Sequence, residues 1–262
     1  MPVASEPTWA LDLDGVVWLA GTAIPGAAEA VAVLRQSGRR VVFLTNNSGP
    51  TVTAHLEALG RVGIECTAED LVTSAQAAAS VVAPNERVAV VGDEGLVEAL
   101  RACGATLVEP GEGATAVVVG RRVHLDYWAL AAAATAIRGG ARFIAANTDA
   151  TFPVGVNELV PGAGALVAFL STASGRDPEV AGKPHEPMAA LVRSRIARVE
   201  VMVGDRPDTD GRFARRLGAP FGLVLSGVTR RSDLPVDPSP DFVADNLSGL
   251  LSQVCAGLQI TD

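Results

Sequence analysis

Two carboxylates stand at the mouth of an apolar run: Trp9-Ala-Leu-Asp-Leu-Asp-Gly-Val-Val17 sets Asp12 and Asp14 two residues apart, with a glycine behind them. In a strand, residues two apart point to the same side. A run entering a covered parallel sheet has no reason to carry paired acids unless they project past its carboxyl end. Ligands of open α/β sheets bind there. Three further polar clusters follow apolar runs directly. Arg40-Val-Val-Phe-Leu44 leads into Thr45, Asn46, Asn47 and Ser48; Glu179-Val-Ala-Gly182 leads into Lys183; Val199-Glu-Val-Met-Val203 leads into Gly204, Asp205, Asp208 and Asp210. If the four strands are parallel neighbours, the clusters converge on one crevice despite their separation in sequence.

The order and spacing of Asp-x-Asp-Gly, Thr-Asn-Asn, a lone lysine and Gly-Asp-x-x-x-x-Asp resemble the haloacid dehalogenase superfamily of aspartyl phosphatases. Other segments carry the likeness along nearly the whole chain. They include Ile24-Pro-Gly-Ala27, Val72-Thr-Ser-Ala75, Asn147-Thr-Asp149, Thr151-Phe-Pro153, Pro161-Gly-Ala-Gly164, Gly182-Lys-Pro184 and Gly204-Asp-Arg206. The resemblance is to the branch (subclass IIA) with a large α/β cap between the second and third motifs. That branch includes glycerol-phosphate, phosphoglycolate, pyridoxal-phosphate and nucleotide phosphatases. The expected fold is α/β, a doubly wound parallel-sheet core with an inserted α/β cap domain. The expected division is core at 1–82, cap at 83–178 and core again at 179–262.

Phosphate monoesters are dianions that repel anionic nucleophiles, so a catalyst must offset charge and hold the attack in line. The resemblance implies a catalytic set of Asp12, Asp14, Thr45 and Lys183. Asp12 would be the nucleophile, forming an aspartyl-phosphate. Asp14 would protonate the departing alkoxide and then deprotonate the hydrolytic water. Mg2+ would be held by Asp12, the carbonyl of Asp14, and Asp205, with Asp208 and Asp210 in supporting positions that orient a water on the metal or Lys183. Thr45, Asn46, Asn47, Asn147, Asp149 and Lys183 are expected to contact substrate. The substrate would be a small phosphorylated metabolite such as glycerol 3-phosphate or 2-phosphoglycolate. Transfer to another acceptor, as in a mutase, and a noncatalytic sensor of phosphorylated metabolites remain as alternatives. Two departures stand out: Gly211 follows Asp210 where an apolar residue is usual, and Arg121-Arg-Val-His-Leu-Asp126 matches no single substrate pattern. Specificity is expected to be decided in that second stretch.

The elements that must position these groups alternate between strand and helix, which favours parallel sheets with helical crossovers. Helices are expected at Ala27–Gln36, at Thr51–Leu59 closed by Gly60, and at Leu71–Val82. A new series then follows: strand Val88–Val91, helix Glu94–Cys103, strand Ala116–Val119, helix Tyr127–Ile137, strand Phe143–Ala145 and helix Gly164–Ala173. Gly15–Ile24 suits a hairpin flap, and Pro161-Gly-Ala-Gly164 reads as a helix entry. The 262 residues are 48% hydrophobic and 19% charged, as in globular proteins. A net charge of −8 argues against nucleic acid or an anionic membrane as partner. No apolar stretch approaches a membrane span, and no signal-peptide pattern opens the chain, so a cytoplasmic protein is expected. Cys66, Cys103 and Cys255 are read as free thiols, and His55, His124 and His185 share no metal-ligand spacing. A homodimer is possible, with no segment marking its interface.

Overall fold

The computed structural model describes residues 6–155 and 158–257. The chain opens with β1 (Thr8–Asp12), a small hairpin of β2 (Trp18–Leu19) and β3 (Thr22–Ala23), then α1 (Ala27–Gln36), β4 (Arg40–Thr45), α2 (Val52–Arg61), β5 (Leu71–Thr73) and α3 (Ser74–Ala79). A second series runs through β6 (Arg87–Val91), α4 (Glu94–Ala102), β7 (Thr106–Leu107), β8 (Ala116–Val119), α5 (Tyr127–Arg138) and β9 (Arg142–Ala145). It continues with β10 (Thr151–Gly155), β11 (Glu158–Pro161), α6 (Ala163–Ser174) and β12 (Glu179–Val180). The last third holds α7 (Glu186–Arg195), β13 (Val199–Gly204), α8 (Arg212–Leu217), β14 (Phe221–Val224), β15 (Phe242–Ala244) and α9 (Leu247–Gly257).

The first sheet has six parallel strands in the order β15-β14-β13-β1-β4-β5. Its strands are buried on both faces, and alternate residues feed two separate cores. Trp9, Leu11, Val41, Phe43, Val201 and Val203 pack with Val31 and Leu34 of α1 and Leu250 of α9. Ala10, Val42, Leu44, Val72 and Met202 pack with Ala78 of α3, Met188 and Val192 of α7 and Phe213 of α8. Helices cover both faces, the doubly wound arrangement expected. Each buried Leu, Val, Ile or Phe side chain contributes about 1.5–3 kcal/mol relative to exposure.

The second sheet has five parallel strands in the order β12-β9-β8-β6-β7. One face, through Ala89, Val91, Val117, Val119 and Phe143, packs on Leu130 and Ile137 of α5 and Leu170 of α6. The other face places Val88, Val118 and Ile144 in the same cluster as Ala78 and Met188, with Leu96 and Leu100 of α4 between. The two sheets are thereby joined by continuous apolar packing.

Three expectations require correction. Glu179–Val180 does not extend the first sheet: it pairs in parallel with Ile144–Ala145 of β9. Lys183 therefore reaches the crevice from the edge of the second sheet, whereas the other three clusters leave the first. Gly182 permits this junction, since a Cβ there would collide with the Ala146 carbonyl. The stretch expected as one helix from Leu71 begins as a strand, and a capping box starts the helix at Ser74. Thr73 Oγ1 accepts from the Gln76 amide while Gln76 Oε1 accepts from the Thr73 amide. Helix α2 runs through Gly60 to Arg61, because the left-handed turn falls at Gly63 (φ +83°). Cys66 and Cys103 are free; the side chain of Cys255 lies outside the described residues.

Candidate active site

Strand register decides which groups meet. Asp12 lies beside Leu44, and Leu11 beside Val203, so Asp12, Thr45 and Asp205 leave neighbouring strands at the same end. Lys183 joins them from across the junction and is buried. Its ammonium donates to Asp210 Oδ1 at 2.7 Å and the Leu44 carbonyl at 3.3 Å, and pairs with Asp12 Oδ1 at 2.8 Å. Three donors meet three acceptors, which is what a buried ammonium requires. Burial works against the Lys183 charge, but Asp12 and Asp210 outweigh it and raise its pKa above the ordinary lysine value.

Asn46 is the clamp that holds Lys183 in place. Its Oδ1 accepts from the Lys183 amide at 2.9 Å, and its Nδ2 donates to the Lys183 carbonyl at 3.1 Å and to Asp149 Oδ1 at 3.2 Å. The Asn46 carbonyl in turn accepts from Ser74 Oγ and Asn147 Nδ2, both at 2.6 Å. The side chains of Asn46 and Asn147 are thus committed to joining the two sheets. Thr45 Oγ1 accepts from the Asn47 amide at 3.0 Å, and Asn47 Oδ1 accepts from the Gly49 amide at 3.2 Å. Both turn the chain sharply after β4.

Asp205 is held differently. Its Oδ2 accepts from the Val228 amide at 2.6 Å, while Oδ1 is buried with no hydrogen-bond partner. Gly15 and Gly227 flank this carboxylate so closely that a Cβ at either would overlap it, and Gly15 also needs its left-handed φ of +82°. Burial, with Asp210 nearby, raises the Asp205 pKa to about 7. Asp210 is buried and satisfied, its second oxygen accepting from the Arg206 amide at 3.1 Å. Carboxylate oxygens of Asp12, Asp205 and Asp210 lie within 4.8 Å of one another. An orphaned carboxylate oxygen beside two more acids is the donor set of a hard divalent cation, so the residues fit one.

Asp14 occupies the crevice mouth, where its Oδ1 accepts from Trp18 Nε1 of the hairpin at 3.1 Å. Burial lifts its pKa to about 6, against the opposing hydrogen bond from Trp18. The Gly15–Ile24 segment does form the expected hairpin, and its amides at Val16, Val17 and Trp18 donate to the Leu13 carbonyl rather than to that of Asp14. Burial, with Asp210 and Asp205 adjacent, pushes Asp12 upward against the pull of Lys183.

Asp12, Asp14, Thr45, Asn46, Asn47, Asn147, Asp149, Lys183 and Asp205 all line one cavity of about 50 Å³. Asp210 lies just behind it on Lys183. Asp208 does not join them: it is exposed, on the outer side of the helical turn Pro207–Gly211. Asp208→Ala is expected to leave thermal stability within about 0.5 kcal/mol, and turnover unchanged within twofold. A large loss of turnover in a folded variant would restore it to the site. The cavity wall also includes Arg121, Phe152 and Arg206, which were not among the expected site residues. Arg206 was visible as the residue after Gly-Asp, while Arg121 belonged to the stretch that matched no substrate pattern.

The buried acids make stability depend on pH. Asp14 and Asp205 have folded pKa values of about 6 and about 7, above the ordinary carboxylate value of 3.8. Raised values mean that the folded, metal-free protein binds more protons, so their contribution is fully present below about pH 4. It is lost as pH rises through 6 and 7. From these two acids the metal-free protein is expected to lose on the order of 2–4 kcal/mol between pH 5.5 and pH 8, opposed by His55 and His185, whose burial-lowered pKa values favour folding as pH rises through the same window. A divalent cation added at pH 8 should restore the loss carried by Asp205. Asp205→Asn should change the melt-versus-pH profile of metal-free protein most between pH 5.5 and pH 8, and an unchanged profile would contradict the assigned burial of Asp205.

The carboxyl end of the first sheet gathers Asp12, Asp14 and Asp205, and Lys183 meets them from the second sheet. Residues 9–106 match the haloacid dehalogenase-like hydrolase family model, and residues 180–250 match a second, HAD-hydrolase-like model. D-glycerol 3-phosphate phosphatase of Mycobacterium tuberculosis is 41% identical over 92% of this chain and 69% of its own length. Phosphoglycolate phosphatase 2 of Arabidopsis thaliana is 31% identical over 94% of this chain and 93% of its own. Among solved structures, a p-nitrophenyl phosphatase from Archaeoglobus fulgidus superposes with a TM-score of 0.86 at 31% identity, covering 95% of this chain and 99% of that one. A glycerol phosphate phosphatase from M. tuberculosis, in complex with magnesium, gives 0.84 at 37% identity, covering 94% and 77%. The chain belongs to the haloacid dehalogenase-like hydrolase family, among its phosphatases. No described helix is long and apolar enough to cross a membrane.

Proposed function

We propose that this protein is a magnesium-dependent phosphatase of small phosphorylated metabolites, with glycerol 3-phosphate and 2-phosphoglycolate as the leading substrates, acting through an aspartyl-phosphate. The observation that carries this reading is the pairing of Asp12 with Lys183 beside the orphaned oxygen of Asp205. Asp12 has one oxygen on Lys183; its other oxygen makes no hydrogen bond among the described residues and is the attacking atom. Attack forms the Asp12–phosphorus bond and breaks the ester P–O bond, while Asp14 gives its proton to the departing alkoxide. Asp14 then takes a proton from water, which attacks the same phosphorus and expels the Asp12 carboxylate with inorganic phosphate. The Asp14 pKa of about 6 suits a group that must both give and accept.

Thr45 and the Asn46 amide would hold the phosphoryl oxygens, with Lys183 offsetting their charge. Asp12, Asp205 and the Asp14 carbonyl would hold Mg2+, with Asp210 fixing Lys183. When bound, the ion supplies charge neutralisation for the phosphoryl group and the acids around it. The second sheet, with the loop Asn147–Pro153, would form the cap over the phosphate, as 83–178 is expected to do. The test is phosphate release from a panel of monoesters, with and without magnesium. Metal-dependent release supports the reading; a folded, magnesium-binding protein that releases none from any ester overturns it.

A further inference from the structure

Arg121 stands apart from the other cations of the crevice. Lys183 is fully paired, and the Arg206 charge is set among Asp205, Asp149, Asp210 and Asp12, which raise its pKa although burial opposes them. The Arg121 guanidinium has no hydrogen bond or ion pair among the described residues. It lies instead over the Phe152 ring, with its carbon 4.4 Å from the ring centroid.

Its backbone is fixed from both sides. The Arg121 amide donates to Ser48 Oγ of the first sheet's loop at 2.9 Å, and its carbonyl accepts from the Asp93 amide at 2.9 Å. Gly120 allows this approach, because a Cβ there would press against Ser48 at 2.5 Å. A side chain anchored at the backbone and stacked along its guanidinium is preorganised, so little further entropy is lost on binding.

Its position points outward from the chemistry. Arg121 lines the 50 Å³ cavity together with Asp14, the acid proposed above to protonate the leaving oxygen. It also lines an adjoining groove of about 470 Å³, shared through Asp14, Asn47, Phe152 and Pro153 and extended by Trp18, His55 and Arg61. The groove is where a leaving group has room, and Arg121 stands at its threshold. Among the residues lining it, Asp14 is the one carboxylate.

We infer that Arg121 is a specificity-determining residue that binds a carboxylate on the leaving group, so that the preferred substrates are phosphate monoesters of small hydroxy acids rather than of neutral polyols. A planar guanidinium with unused donors matches a carboxylate in a bidentate fork. A neutral polyol leaves those donors without a charged acceptor. This inference rests on the phosphatase reading and narrows it.

The test compares kcat/KM for 2-phosphoglycolate and glycerol 3-phosphate, esters of similar size with an anionic and a neutral leaving group, in wild type, Arg121→Ala and Arg121→Lys. The wild type should favour 2-phosphoglycolate at least about 10-fold. Arg121→Ala should lower the ratio between the two esters by about 10- to 100-fold, chiefly through KM for 2-phosphoglycolate. Arg121→Lys should fall between, keeping charge but not the fork. Circular dichroism and melting confirm that each variant is folded, and Phe152→Leu, which removes the stack while leaving the guanidinium, should lower the ratio less than Arg121→Ala. A wild-type preference for glycerol 3-phosphate, or equal losses on both esters, overturns the role of Arg121 while leaving the phosphatase intact. Release from neither ester nor from p-nitrophenyl phosphate overturns the phosphatase reading and this inference together.

Discussion

Asp12→Asn is expected to abolish turnover, lowering kcat by at least about 10⁴-fold while leaving the protein folded. An amide is nearly the same size as the carboxylate, so the cavity keeps its shape. It is, however, a poor nucleophile and cannot form the acyl phosphate. The variant also removes one acidic partner of Lys183, which retains Asp210 at 2.7 Å and the Leu44 carbonyl at 3.3 Å. Asn Oδ1 can replace the lost acceptor, so the ammonium is not left bare. Losing an acid whose pKa burial and two neighbouring acids already push upward relieves repulsion. The melting temperature of the metal-free variant should therefore not fall. Phosphate release, single-turnover labelling with a radioactive ester and a thermal melt check these points together. Full activity in Asp12→Asn would assign the nucleophile elsewhere, and a collapsed melt would mean that the charge of Asp12 is structural.

Asp205→Asn is expected to weaken magnesium binding by on the order of 10²-fold or more and to depress turnover at low magnesium. Second-layer groups alone are worth 10- to 100-fold in metal affinity, so loss of a direct ligand should cost at least that. The same substitution should raise the melting temperature of metal-free protein at pH 8. It removes a buried charge whose Oδ1 has no partner, whereas an amide can still accept from the Val228 amide. Opposite signs for metal affinity and metal-free stability separate a metal ligand from a residue that simply supports the fold. Calorimetric titration with magnesium and melts in chelator provide both values. Unchanged magnesium affinity, or a lower metal-free melt, would remove Asp205 from the cation site.

How far the sequence foreshadowed the site differs residue by residue. Asp12, Thr45 and Asp205 were legible because each ends an apolar run, and a strand buried on both faces must release its polar residues at its end. Lys183 was legible by position but its origin was misread. Glu179–Val180 is too short for its pattern to say which of two sheets it extends, and only hydrogen bonding to β9 decides that. The strand at Leu71–Thr73 was hidden inside an alanine-rich segment, although Thr73 and Gln76 carried the capping-box signature of a helix starting after it. Asp208 and Asp210 were separated by motif spacing. They stand two residues apart in one helical turn, but only Asp210 closes the Gly-Asp-x-x-x-x-Asp spacing, and it is the one buried against Lys183 while Asp208 is exposed.

The sequence by itself determined the alternation of strands and helices, the acids and lysine available for chemistry, and the glycines that allow close approach. Those features are local, written in periodicity and in residue type. Only the tertiary structure decided that Asp205 keeps an unpaired oxygen, that Asn46 bonds to Lys183 across the two sheets, and that Arg121 rests on Phe152 at the threshold of the larger groove. Each of these joins residues tens to more than a hundred positions apart. Such contacts depend on strand order and packing, which chain-local patterns do not encode.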